Sequence, residues 1–276
     1  LYFLSETLWL RGYPDQALAR LDTLLRLARE LSHPMSLLFS LNGAASCVNN
    51  CRNGQAVQQW AEAIIALVTE QAMPYWLALG SMYHGWALAA QGQMEAGIAQ
   101  VQQGLAAHRA PGARIGLCRW LGLLAELHGR AGQFGAGRTV LAEAFAVIRQ
   151  EGLSTFAAEF YRIQGDCLVQ TGTRHQEEDA EASLLQALAI ASQQQAKAYE
   201  LRAALSLGRL WRRQGKPDAA RDLLEPIYGW FTEGLDTPDL RDARALLEEL
   251  AWEPSAVQRE PRLAPYACNG AHAYSA

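Results

Sequence analysis

The sequence holds little that would place it outside the cell or in a membrane. Its five cysteines (Cys47, Cys51, Cys118, Cys167 and Cys268) are an odd number, scattered through 276 residues. That argues against a disulfide framework and for a reducing compartment, so the expected location is cytoplasmic. No apolar run approaches the ~20 residues that span a bilayer, and the first residues lack the charged start and small-residue cleavage site of a secretory leader. Excess positive charge is missing too: the formal net charge is −4, so there is no general attraction to nucleic acid or to an anionic membrane, and neither is expected as a partner. Strand-like runs are absent to the eye. What remains is a hydrophobic content of 50%, ample for a core, in a chain long enough for one large or two ordinary domains. The chain opens at Leu1 in what reads as the middle of a helix, and is expected to be a piece of a longer protein.

One stretch, GRAGQFGAGRT, invites a catalytic reading. Gly132, Gly137, Arg138 and Thr139 have nearly the spacing of a phosphate-binding loop. Such a loop needs an apolar strand before it, a lysine as a flexible point charge, and an acidic residue at the end of another strand to help hold magnesium. Here Leu121, Leu124, Ala125 and His128 precede the glycines at helical spacing, an arginine stands where the lysine should, and no second strand exists to carry the acid.

The glycines have a better explanation in a repeat. Gly12, Cys51, Gly92, Gly132, Gly172 and Gly215 recur with a period of about 40. After each follows an i, i+4, i+7 stripe: Ala17/Leu21/Leu24, Ala56/Trp60/Ala63, Gly97/Val101/Gly104, Gly137/Leu141/Ala144, Ala180/Leu184/Ala187 and Ala220/Leu224/Ile227. Seven residues before each turn stands a small residue (Ser5, Ala44, Gly85, Ala125, Gly165, Gly208), which lets a neighbouring helix approach closely. Each unit therefore reads as helix, tight turn, helix, with Pro34, Pro74 and Pro111 between units and "TRHQEED" as a loop insertion in the fifth. After the sixth unit, "DTPDLRDARALLEEL" reads as a capping helix with Leu240, Ala243, Leu247 and Leu250 on one face, capped by Asp236 or Thr237. The expected fold is all-α, a right-handed α-α superhelix of about six repeats plus that cap, over residues 1–250. Residues 251–276, rich in proline and without periodicity, are expected to be a disordered tail.

This grammar resembles the tetratricopeptide repeat, whose pattern runs W-x2-L-G-x2-Y, then A-x3-F-x2-A. The sixth unit carries Ala204-x2-Leu207-Gly208-x2-Trp211 and Ala220-x3-Leu224-x2-Ile227, and the fifth carries Tyr161-x2-Gln164-Gly165-x2-Leu168 and Ala180-x3-Leu184-x2-Ala187. The first and second units match less well. The run over residues 193–250, above all "YGWFTEGLDTPDL" (Tyr228 to Leu240), together with "RGYPDQALAR" in the first unit, is similar to the C-terminal repeat regions of bacterial proteins that join a class III adenylate/guanylate cyclase or other output domain to an AAA-type ATPase. The resemblance implies a regulatory region with no reaction of its own, because neither cyclase aspartates nor nucleotide motifs are in this chain.

No set of residues converges on chemistry. Cys47 and Cys51 lie four apart on a helix, but two thiolates without a histidine or a second pair make a poor zinc site. The six histidines show no ligand spacing, "HQEEDAE" lacks the alternation of a calcium loop, and Trp60, Trp211 and Trp230 fall on packing stripes. No cofactor, no metal and no catalytic residue is expected. The candidate surface is the concave groove lined by the first helix of each unit. The repeat register puts Tyr2, Glu6 and Trp9, then Leu38, Leu41 and Asn49, then Leu79, Met82 and Trp86 on its apolar half. Its charged half takes Arg119, Glu126 and Arg130, then Glu159, Arg162 and Asp166, then Arg202, Arg209, Arg212 and Arg213. The expected partner is a protein or peptide in this groove, or another domain of the parent chain; the alternative is a free-standing adaptor.

Overall fold

The computed structural model describes residues 1–69, 73–110, 112–152, 155–170 and 174–252. Among them are thirteen helices and no strand. They pair as α1 (Tyr2–Leu10) with α2 (Pro14–Leu31), α3 (Pro34–Asn50) with α4 (Gly54–Thr69), and α5 (Pro74–Ala90) with α6 (Met94–Arg109). Next come α7 (Leu117–Arg130) with α8 (Phe134–Glu151), α9 (Ala157–Val169) with α10 (Arg174–Gln193), and α11 (Lys197–Arg213) with α12 (Pro217–Tyr228). The unpaired α13 (Pro238–Trp252) packs on α11 and α12, burying Leu240, Ala243, Leu246 and Leu250, and so caps the stack. The expected tail, from residue 253 on, lies outside the described residues; Ala251 and Trp252 end α13.

The turn inside each unit but the fifth, whose turn lies outside the described residues, has one physical form. The first helix stops at a residue in the left-handed region whose N–H donates back three residues, while the next N–H donates back five. Gly12 (φ +89) and Tyr13 do this to Trp9 and Leu8, Gly92 (φ +95) and Gln93 to Ala89 and Leu88, Gly132 (φ +73) and Gln133 to Gly129 and His128, and Gly215 (φ +74) and Lys216 to Arg212 and Trp211. In the second unit the turn residue is Arg52 (φ +55), not Cys51, whose φ is −77. Gly12, Arg52, Gly92 and Gly132 thus keep a strict 40-residue spacing. The stripe shifts by the same single residue, so that Val57, Ala61 and Ile64 are buried where Ala56, Trp60 and Ala63 were expected. An arginine in that conformation costs roughly 1 kcal/mol that a glycine would not, and its side chain must recover this elsewhere. Gly172 lies outside the described residues.

Pro34 and Pro74 stand at unit boundaries as expected, each opening the next helix, α3 and α5, where the missing N–H costs nothing; Pro111 lies outside the described residues. Two other expectations are revised. Arg174 to Asp179 are not a loop but the first turns of α10. Trp230 is not core: 44% of it stays exposed, beside Lys197. The stripes of the other units are buried except at Leu24, where the buried residue is Leu25, and the small residues Ser5, Ala44, Gly85, Ala125, Gly165 and Gly208 are buried, as packing requires. The closest approach is α5 on α6, where a Cβ placed on Gly97 would stand 2.5 Å from the Gly85 carbonyl oxygen. Gly137 is buried at the start of α8, a helix precedes it, and Gly132 is a unit turn, so the apparent phosphate loop is repeat punctuation.

The odd-numbered helices form the inner layer, each touching the next, and the superhelix then returns on itself: α1 packs against α11. At this seam the Trp9 ring meets Tyr199 edge-on at 5.6 Å, within a cluster that also holds Ala17, Cys51, Ala191 and Ala198. Polar contacts rim it. Glu233 accepts from the Gln16 N–H at 3.1 Å, Asp15 from the Gly234 N–H at 3.0 Å, and the Arg11 carbonyl from Trp230 Nε1 at 3.4 Å.

Candidate functional site

Packing between units decides what happens to the expected groove. Trp9, Leu38, Leu41, Leu79, Met82 and Trp86 are all between 0% and 5% exposed, and Asn49 is 9% exposed. The apolar half is therefore core, not open surface. Neighbouring inner helices meet directly, as where Tyr83 on α5 packs edge-on against Trp120 on α7 at 4.7 Å.

The charged half is brought together, and it builds a cycle. Glu126 on α7 pairs with Arg52 at 3.2 Å and with Arg162 on α9 at 3.5 Å. Arg162 grips Glu159 at 2.7 Å; Glu159 reaches Arg202 on α11 at 3.5 Å; Arg202 pairs with Asp239 of α13 at 2.7 Å; and Asp239 returns to Arg52 at 3.3 Å. Three arginines alternate with three acids, drawn from the turn after α3 and from four inner helices. Arg202 adds a bond to the Asn50 carbonyl at 2.6 Å and stacks over Trp9 at 5.0 Å. Burial pushes the Glu159 carboxyl up, but Arg162, Arg202 and Arg52 outweigh it and hold it at about 2. Asp239 is likewise held below the usual value, burial being outweighed by Arg202 and Arg52.

A second polar knot lies deeper. Arg119 donates to the Ser46 carbonyl at 3.1 Å and to the side-chain oxygens of Asn49 and Asn50, and faces Glu6 at 3.6 Å. Glu6 in turn accepts from Ser46 Oγ and Asn50 Nδ2. Asn49 Nδ2 and Arg119 Nε have no protein acceptor and border a void of about 60 Å³, room for water and little more.

Above the ion-pair cycle opens a recess of about 840 Å³ at the C-terminal ends of α7, α9 and α11. Its lining includes the expected Glu126, Arg130, Arg162, Asp166, Arg209 and Arg213, with Arg52, Asp239 and Asp242 added by the fold. Arg119 lies below it, beside the small void. Asp166 accepts from Arg162 at 2.5 Å, and Arg209 pairs with Asp242 at 2.9 Å in a half-exposed bridge. Arg212 pairs with Glu249. Arg130 and Arg213 are exposed and form no ion pair among the described residues. Arg52 was hidden from pattern reading because the turn position favours glycine, and Asp239 because it sits in the cap; only the break in glycine periodicity at Arg52 could have flagged either.

The arrangement is suited to receiving charge. Glu126, Asp166, Asp239 and Asp242 each pair with an arginine, although burial pushes the Asp166 carboxyl up despite Arg162. The Cys47 thiol is pushed up by its hydrogen bond with Cys51 and by burial, away from the thiolate a metal needs. Among the described residues no three histidine, cysteine or acidic side chains gather as a metal site, and no helix is long and apolar enough to cross a membrane.

Two comparisons with known proteins bear on this geometry. No curated protein shows a significant match to the chain. The tetratricopeptide repeat family model matches residues 1–23 and residues 201–226. These are the first and sixth units, the two that meet at the seam; the first, which looks irregular to the eye, is thus one of the two best supported. Two of the units thus match the tetratricopeptide repeat, within an all-helical fold of paired helices.

Proposed function

We propose that this chain is the non-catalytic, partner-binding arm of a bacterial multidomain signalling protein, an ATPase or a nucleotide cyclase, and that the arginine-lined recess captures an acidic group of a partner or of another domain of the same parent. The observation that carries the reading is the contrast between paired and unpaired charge. Inside, every arginine of the cycle has at least two acids. At the mouth, Arg130 and Arg213 have none among the described residues, on a chain of net charge −4. The multidomain assignment rests on the resemblance of Tyr228 to Leu240, which is also the segment that closes the ring through Trp230, Glu233, Gly234 and Asp239.

Calorimetric titration with an acidic peptide tests the recess. Arg209→Glu combined with Arg130→Glu is expected to weaken capture by about ten-fold or more, with little change in melting temperature because both side chains are exposed. Unchanged binding sinks the assignment. Reading the coding sequence upstream of the codon for Leu1 tests the parent: an ATPase or cyclase frame supports it, and a start codon a short way upstream replaces it with a free-standing adaptor.

A further inference from the structure

The shape and charge of the recess select among acidic ligands more narrowly than the repeat fold does. Its volume, about 840 Å³, falls in the range of small-molecule sites.

Its charge is also in excess. Seven arginines line it against four acids, Glu126, Asp166, Asp239 and Asp242. Complementing the carbonyl ends of α7 and α11 would account for one cation at each. Yet α11 alone brings Arg209, Arg212 and Arg213 within its final five residues. Arg209 pairs with the half-exposed carboxylate of Asp242, a bridge that water already weakens and a ligand can replace. A phosphoryl group concentrates nearly two charges and three acceptor oxygens at one centre, matching the guanidinium fork. Among the described residues the apolar walls, Ile163, Cys167, Val169 and Leu205, include no aromatic ring on which a nucleobase would stack.

We propose that the recess binds a compact small molecule bearing two or more phosphoryl groups, held by Arg130, Arg209 and Arg213, with no contribution from a base. This rests on the recess being the binding site. Isothermal titration of the full chain with tripolyphosphate is the test, with inorganic phosphate, ATP and hexaglutamate as comparison probes. Saturable binding at one site per chain is expected, at least about ten-fold tighter than inorganic phosphate, with ATP no tighter than tripolyphosphate. Arg130→Gln with Arg213→Gln is expected to cost about ten-fold or more while the unliganded melting temperature holds, and Arg26→Gln on the far exposed face of α2 to cost nothing. Absent or arginine-independent tripolyphosphate binding overturns the proposal, as does ATP binding far tighter than tripolyphosphate. Arginine-dependent hexaglutamate binding without tripolyphosphate binding overturns it while leaving the recess as an acidic-peptide site; silence from every probe removes both readings.

Discussion

His108 and Glu159 show how single buried groups tie stability to pH, one in its neutral form and the other in its charged form. His108 is fully buried, donates from Nε2 to the Ile115 carbonyl at 3.1 Å, lies 5.3 Å from the Tyr75 ring, and leaves Nδ1 without a partner. Burial, with Arg109 nearby, lowers its pKa below 6.5 despite the carbonyl. Its neutral form therefore contributes stability above pH 6.5 that is lost as pH falls below that value, when the unfolded chain takes the proton first. His108→Gln is expected to flatten the pH dependence of the urea midpoint in this range. Glu159 acts lower down: held at about 2 against a usual 4.5, it contributes stability above pH 4.5 that is lost between 4.5 and about 2. Glu159→Gln is expected to lose roughly 3–5 kcal/mol at neutral pH, because Arg162 keeps only 7% of its side chain exposed and loses its shortest glutamate partner, and to remove that acid slope. Denaturant titrations across the two windows separate the residues; a wild-type slope in both variants refutes the assignment.

At the scale of the element, glycine has two unlike uses that a melting curve distinguishes. Gly97 sits where α6 crosses α5, and an added Cβ would meet the Gly85 carbonyl at 2.5 Å and Ala89 Cβ at 2.7 Å, so Gly97→Ala forces the helices apart at a cost of about 1–3 kcal/mol. Gly135 lies in the first turn of α8 with nothing within 4 Å, and Gly135→Ala is expected to stabilise by about 0.5 kcal/mol through the unfolded chain. Opposite shifts in melting temperature are the expected result; a shift of the same sign in both would mean that the crossing is slack. Helix pairing, unit number and cap were legible in the sequence because small residues and turn glycines repeat where backbones must approach or reverse. The second unit slipped by one residue because Arg52 occupies the left-handed turn position without being glycine. The site was half legible. Register alone put Arg130, Arg162, Asp166, Arg209 and Arg213 on the inner face, and the recess contains them. It could not show that Leu41, Met82 and Trp86 on the same face are covered, since that depends on how closely neighbouring helices pack, as where Gly104 of α6 meets Met82.

For the whole molecule, the decisive feature is that the stack closes. An open repeat array has stability that is a sum of neighbour terms, and its ends fray independently. Here α1 is held by α11, and Arg52 and Asp239 link the second unit to the cap, so no terminal unit has only one neighbour. Trp9 carries most of this seam: it is 4% exposed, packs edge-on against Tyr199 and lies under the Arg202 guanidinium at 5.0 Å. Trp9→Ala is expected to cost about 3–5 kcal/mol, but the helices themselves, each paired within its unit, should persist. Gly234→Val reaches the same seam from the other side, since a Cβ there would stand 2.2 Å from Pro14 Cγ and the backbone φ of +64 is unsuited to a β-branched residue. Both variants should keep the far-ultraviolet circular dichroism of the parent while small-angle scattering shows a larger radius of gyration, because the superhelix opens without unwinding its units. An unchanged radius in both would mean that the curvature is set unit by unit and that the seam merely follows it. An increase would instead make the ion-pair cycle a consequence of closure, since Arg52 and Asp239 meet only when the ends do, and polyphosphate binding in the recess should fall with it.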